Sequence, residues 1–214
     1  MPRTVGILLF DDAEVLDFAG PFEVFSVCGR RSQLDPFSVV TVSERGQPII
    51  ARNAFVVTPT HSFSSCPTLD ILVVPGGFGT RREMRNQVML EWVSQTARRC
   101  ELLLSVCTGS LVLGSAGLLE GRHTTTHHMA FPELRAAAPG ATVHEGARIV
   151  DNGGIVCSSG VSAGIDMSLH VVARLCGDDI ARETARYMEY EGRWDDVTRI
   201  IKSSVGDPTP DPVI

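Results

Sequence analysis

No apolar run in this chain approaches the roughly 20 residues that a membrane-spanning helix requires. The longest near the start, Val5-Gly6-Ile7-Leu8-Leu9-Phe10, is also too short for a secretory h-region with a cleavage site, so a cytoplasmic protein is expected. Clustered positive charge is missing as well. The 19 basic residues are scattered among 25 acidic ones, with only short pairs such as Arg81-Arg82 and Arg98-Arg99, which argues against a nucleic-acid surface. There is no C-x-x-C pair: Cys28, Cys66, Cys100, Cys107, Cys157 and Cys176 lie far apart and mostly in apolar segments. Apart from Cys107 they read as buried free thiols of a reducing compartment. Repeats and interdomain linkers are absent too. The 214 residues, 43% hydrophobic and 21% charged, therefore describe a single α/β domain over residues 1–195, followed by a tail over 196–214 that ends with three prolines in nine residues.

Short apolar runs bounded by turn residues, at 4–10, 70–74 and 102–106, have the character of buried parallel strands. Helical apolar spacing at 18–27 and 84–97 separates them, which gives alternating strands and helices around a parallel sheet. Residues 37–43 predict a further strand. A turn at 46–48 followed by 49–57 predicts a hairpin decorating a sheet edge. After Cys107, residues 110–113 predict a helical stretch ending at Gly114, 116–121 close a short helix, and 122–126 favour strand. Strands at 147–150 and 154–158 flank the turn Asp151-Asn152-Gly153. A helix over 162–176 ends at Gly177, and another runs from Asp178 through Tyr190.

Chemistry is expected at three places. The apolar stretch 102–106 leads into Cys107-Thr108-Gly109-Ser110, a strand, a cysteine and small residues opening a helix. This is the pattern of a nucleophile elbow at the carboxyl edge of a sheet. Backbone N–H groups and the positive end of the helix are expected to lower the Cys107 pKa. The loop Pro75-Gly76-Gly77-Phe78-Gly79 follows another buried strand, and its N–H groups suit stabilisation of a developing negative charge. The acidic run Asp11, Asp12, Glu14, Asp17 follows the first strand. A carboxyl beside the thiol would have a raised pKa and serve as proton carrier, although spacing does not single out which one.

The pieces Leu16-Asp17-x-x-Gly20-Pro21, Pro75-Gly76-Gly77, Val106-Cys107-Thr108-Gly109-Ser110, Thr126-His127 and Gly160-Val161-Ser162-Ala163-Gly164-Ile165-Asp166 occur in this order. Together they resemble the ThiJ/PfpI superfamily, with class I glutamine amidotransferase-like architecture, from the first strand to about Tyr190. The stretch from Ser105 to Gly114 and on to Leu119 is most similar to the isocyanide (isonitrile) hydratase branch and to the ligand domain of AraC-type regulators. The resemblance implies a flavodoxin-like three-layer sandwich, a homodimer, a small-molecule substrate, and neither metal nor organic cofactor. It further implies Cys107 as nucleophile, Asp17 as the acid/base carboxylate and Thr108 as a residue lining the site. Backbone near Gly76, Gly77 and Gly109, with His127 and Gly164, would complete the substrate pocket. Protease-like members carry a histidine directly after the cysteine, where this chain has Thr108, which counts against a Cys-His protease or deglycase.

Other candidates carry less weight. His123 and His127 would share a face only on a helix, and Thr124-Thr125-Thr126 favours strand, so a zinc site is not expected. His61 and His128 read as structural histidines, and Asp166 as a paired carboxylate. Glu189, Tyr190, Arg193 and Trp194 are assigned to dimer contacts or pocket closure. Three functions remain: an isocyanide hydratase, a ligand- or redox-sensing domain, and a glyoxalase- or deglycase-like enzyme acting on reactive carbonyls. The short stretch after Tyr190 has no room for a helix-turn-helix module, so direct DNA binding is not expected.

Overall fold

The computed structural model describes residues 1–192 and 194–201. Its elements in chain order begin with β1 (Arg3–Leu8), α1 (Val15–Val27), β2 (Phe37–Ser43), β3 (Ile49–Ala51), β4 (Phe55–Val57), β5 (His61–Ser62) and β6 (Ile71–Val74). Next come α2 (Thr80–Glu83), α3 (Gln87–Ala97), β7 (Leu102–Val106), α4 (Gly109–Ser115), β8 (His123–Thr124), α5 (Phe131–Ala137) and β9 (Thr142–Val143). The chain continues with β10 (Ile149–Asp151), β11 (Ile155–Ser158), α6 (Ala163–Cys176), α7 (Asp178–Tyr187) and β12 (Arg199–Ile201).

Eight strands form one sheet in the order β12-β10-β11-β7-β6-β1-β2-β5. All neighbours are parallel except β10 and β11, which are joined antiparallel through the turn at Asn152. The continuous apolar runs of β6, β7 and β11 are buried along their whole length, as strands covered by helices on both faces must be. Helices α1, α6 and α7 pack together as one layer, and α3, α4 and α5 belong to the other. The architecture is the flavodoxin-like three-layer sandwich that the alternating pattern implies.

Several local expectations need correction. The 49–57 hairpin does not extend a sheet edge. It forms its own two-stranded sheet, β3 with β4, hung on the loop after β1: Asp12 N–H donates to the Ile50 carbonyl (2.8 Å) and Arg52 N–H to that of Ala13 (2.9 Å). The edge beside β2 is taken instead by β5, which contains His61. The 84–97 helix begins only at Gln87, because the Asn86 side chain accepts from Val88 N–H (3.1 Å) and Met89 N–H (3.4 Å) and fixes the start there. Residues 122–126 contribute only the two-residue β8, paired with β9 outside the main sheet. Within the stretch read as tail, residues 199–201 join the main sheet as β12 beside β10. Residues 202–214, with the proline-rich terminus, and Arg193 lie outside the described residues.

Candidate active site

Four parallel strands deliver the site: the segments after β1, β6, β7 and β11 all emerge at the carboxyl edge of the sheet, where open α/β folds place ligands. The first two are fastened to each other by Glu14 N–H donating to the Gly76 carbonyl (2.9 Å) and by a bridge between Ala13 and Gly77.

Cys107 sits at the sharp turn from β7 into α4 with φ 56°, in the left-handed region that side chains other than glycine rarely adopt. The turn is held from several sides. Cys107 N–H points at the carbonyls of Ser158 (3.2 Å) and Ser159 (3.1 Å), while its own carbonyl accepts from the hydroxyls of Thr126 (2.9 Å) and Ser110 (3.2 Å). These contacts offset the conformational cost, and Cys107 is left only 5% exposed.

Asp17, in the first turn of α1, is fully buried beside that thiol. Its Oδ2 accepts from Gly76 N–H (2.9 Å), and the carboxyl lies close enough to the Cys107 thiol for each group to shift the pKa of the other. Its Oδ1 accepts no hydrogen bond among the described residues. Burial pushes the Asp17 carboxyl up to about 7, reinforced by the charge of Glu14 and opposed by the Gly76 amide and the thiol.

Thr108 occupies the other side. Its hydroxyl accepts from Gly77 N–H (2.9 Å) and lies 3.1 Å from the hydroxyl of the buried Thr80. Gly76 and Gly77 are thus engaged by Asp17 and Thr108, so their amides fix those two side chains and do not stand open to the cavity. Side chains at either would not fit: a Cβ on Gly76 would come 2.5 Å from Thr108 N, and one on Gly77 2.4 Å from the Asp12 carbonyl. Gly109 and Gly164 serve close packing, of α4 against the Val74 carbonyl and of α6 against Val106.

The low thiol pKa expected from the helix start is overturned. The N–H groups of Thr108 and Val161 do pull in that direction, but burial and the neighbouring Asp17 charge outweigh them and push Cys107 up to about 12. The helix α4 is only seven residues long, whereas both groups of the pair have lost their water. Above about pH 7 the resting pair is therefore a thiol facing a carboxylate, two groups that share one proton.

A cavity of about 150 Å³ opens onto Cys107 and Thr108, bounded by Glu14, Phe78, His127 and Met129. The His127 imidazole is held neutral: burial lowers its pKa, aided by His128 and Arg81. Met129 N–H donates to its Nδ1 (3.3 Å), which places its own proton on Nε2. A larger cleft of about 560 Å³ beside Arg148 shares His127 and Val161 with this cavity. His123 lies elsewhere, its Nδ1 2.7 Å from Nε2 of His144. Asp166 is paired, with Arg148 and with the Tyr190 hydroxyl (2.7 Å). Sequence reasoning missed Thr80 and Val161. Thr80 carries no local signal, and Val161, with φ 46°, is only the residue after a glycine until the fold brings its N–H to the thiol.

Comparison with known proteins bears on the family and the fold. The DJ-1/PfpI family pattern matches residues 3–174. Isonitrile hydratase of Pseudomonas putida is 34% identical over 190 residues, 89% of this chain and 79% of the relative. The HTH-type transcriptional regulator GbdR of Pseudomonas aeruginosa is 27% identical over the same share of this chain, which spans about half (51%) of that protein. Among solved structures, a ThiJ/PfpI family protein from Pseudomonas syringae superposes with a TM-score of 0.81 at 29% identity, covering 90% of this chain and 76% of that one. With its elbow cysteine, buried carboxylate and parallel sheet, the chain belongs to the DJ-1/PfpI family.

Proposed function

We propose that the protein is an isonitrile hydratase-like enzyme that adds water to R–N≡C to give an N-substituted formamide. The observation that carries this reading is Asp17: a fully buried carboxyl raised to about 7, beside the nucleophile, with Oδ1 unpartnered among the described residues. Such a group can take a proton from sulfur and return it to carbon within one turnover. The relative from Pseudomonas putida points the same way.

In the first half-reaction the Cys107 thiol gives its proton to Asp17 as sulfur bonds to the terminal carbon. Asp17 then delivers that proton to the same carbon, leaving the thioimidate R–N=CH–S–Cys107. In the second half, Asp17 takes a proton from water as hydroxide adds to carbon, and the nitrogen receives that proton. The resulting R–NH–CH(OH)–S–Cys107 collapses to R–NH–CHO, its hydroxyl proton returning to sulfur through Asp17. Thr108 and Thr80 hold the Gly77 loop and the rim of the cavity in place throughout. No metal or organic cofactor is required by this sequence of steps, and a cytoplasmic homodimer is the working form we adopt from the family resemblance.

A redox sensor would favour an exposed thiolate, and Cys107 is neither. The test is turnover of p-nitrophenyl isocyanide followed by absorbance. Wild type should form the formamide, Cys107→Ala should not, and Asp17→Asn should lose about 10²–10⁴-fold in kcat/KM. Full activity in Asp17→Asn would remove the proton-carrier role.

A further inference from the structure

The cavity over Cys107 carries an unusual balance of charge. Four of its lining residues are ionisable: Glu14, Arg81, His127 and Cys107. Arg81 is committed elsewhere, its guanidinium 2.8 Å from Glu133, within reach of the Gly77 carbonyl (3.3 Å) and stacked 5.7 Å from the Phe78 ring. His127 is neutral and Cys107 holds its proton. The half-buried Glu14 carboxylate, by contrast, forms no ion pair and no hydrogen bond among the described residues. Its backbone is fixed where α1 begins, through the bond from its N–H to the Gly76 carbonyl, so the carboxylate is held near the cavity mouth by the same loop that supports Asp17. Outside the cavity lining, Arg52 lies over the Phe78 ring at 4.5 Å. The remaining walls, Phe78, Met129, Ala130 and Val161, are apolar. An anion would meet Glu14 and the Asp17 charge behind the thiol without a free cation in the lining; a cation would find Glu14 unpaired.

We propose that Glu14 is a specificity-determining residue and that the cavity selects substrates whose substituent ends in a cationic ammonium group, carried a few bonds from the reacting carbon. The selection rests on the hydratase reading only for the identity of the reacting group, since the charge preference belongs to the cavity itself. A carboxylate facing a small, partly dehydrated space interacts with an entering ammonium more strongly than with a neutral group of the same shape, and this difference is reduced by salt.

The experiment uses matched pairs on the whole protein and on Glu14→Gln. The first pair is 2-ammonioethyl isocyanide against n-propyl isocyanide, read as kcat/KM. The second is 2-aminoethyl against n-propyl methanethiosulfonate, read by mass spectrometry as the rate of modification of the Cys107 peptide, with Cys107→Ala as control for the other thiols. Within each pair the ratio cancels the protonation state of Cys107. Wild type should prefer the cationic member by about fivefold at low salt, and Glu14→Gln should bring both ratios close to one. A loss shared equally by both members of each pair would show that Glu14 acts only through the Asp17 carboxyl, and would overturn the proposal. Turnover of both isocyanides with unchanged ratios would keep the hydratase reading and overturn this one. Absence of turnover, with a thiosulfonate ratio that still collapses in Glu14→Gln, would remove the hydratase reading and support the cationic preference.

Discussion

A thiol and a carboxyl that share a proton in a dry site behave as one acid, and Asp17 with Cys107 is such a pair. The productive form carries one proton, on sulfur at rest and on Asp17 during attack. Asp17 sits near 7 because burial disfavours its charge, so below that pH a second proton fills the base and blocks transfer from sulfur. We expect kcat/KM for an isocyanide to fall about tenfold per pH unit below about 7 and to level off above it. A profile that stays flat down to pH 5, in an enzyme still folded there, would place the titrating base elsewhere. At this scale the sequence was legible in part. Cys107 stood out because an apolar strand followed by cysteine and small residues has few other uses, whereas Asp17 was one carboxyl among four until the family pattern singled it out. The thiol pKa was misjudged because the neighbouring charge of Asp17 and the loss of water are properties of the assembled site, invisible along the chain. The engagement of Gly76 and Gly77 by Asp17 and Thr108 was hidden for the same reason.

Among the elements, α3 shows how one side chain sets a boundary that periodicity leaves vague. Apolar spacing continues back to Met84, but Asn86 closes two free N–H groups at the start of Gln87–Ala97 and also donates to Glu44 (2.8 Å) and Glu83 (3.0 Å). Asn86→Ala should cost about 1 kcal/mol in chemical denaturation while leaving the isocyanide kcat/KM near that of wild type, because α3 lies outside the cavity lining. The fully buried strands β6 and β7 were readable because their composition admits little else. The two-residue strands β5 and β9 were not, since pairing partners far along the chain define them and their sequences carry no period, and of the stretch 122–126 only β8 is strand. The hairpin was recognised but misplaced: alternation reveals that two strands pair, and only the hydrogen bonds to Asp12 and Ala13 reveal that they rest on the loop beside the site.

For the molecule as a whole, two buried carboxylates pull stability in opposite directions with pH. Asp151 ends β10. Burial alone would raise its pKa, but hydrogen bonds from His170 (2.8 Å) and the Gly153 N–H (2.7 Å), with the Arg174 charge (2.8 Å), lower it below the ordinary value and tie α6 to the sheet. A carboxyl lowered on folding stabilises above its unfolded pKa near 4, and that contribution disappears as pH falls through the folded value. Asp17 has the opposite sign. Raised on folding from 3.8 to about 7, it leaves stability untouched below about 4, and its cost grows between 4 and 7 until it is fully present above 7. Taken together the pair places the best stability near pH 4, with a decline from there to about 7, on the acid side of the pH at which catalysis needs Asp17 ionised. Asp17→Asn, which keeps an acceptor for Gly76 N–H but cannot ionise, should therefore gain of order 2–4 kcal/mol over wild type at pH 8 and little at pH 4.5, while losing turnover. Urea denaturation of both proteins at the two pH values measures this directly. An equal difference at pH 4.5 and 8 would mean that the buried carboxyl does not titrate in this range, and the proton shuttle built on it would fall with it.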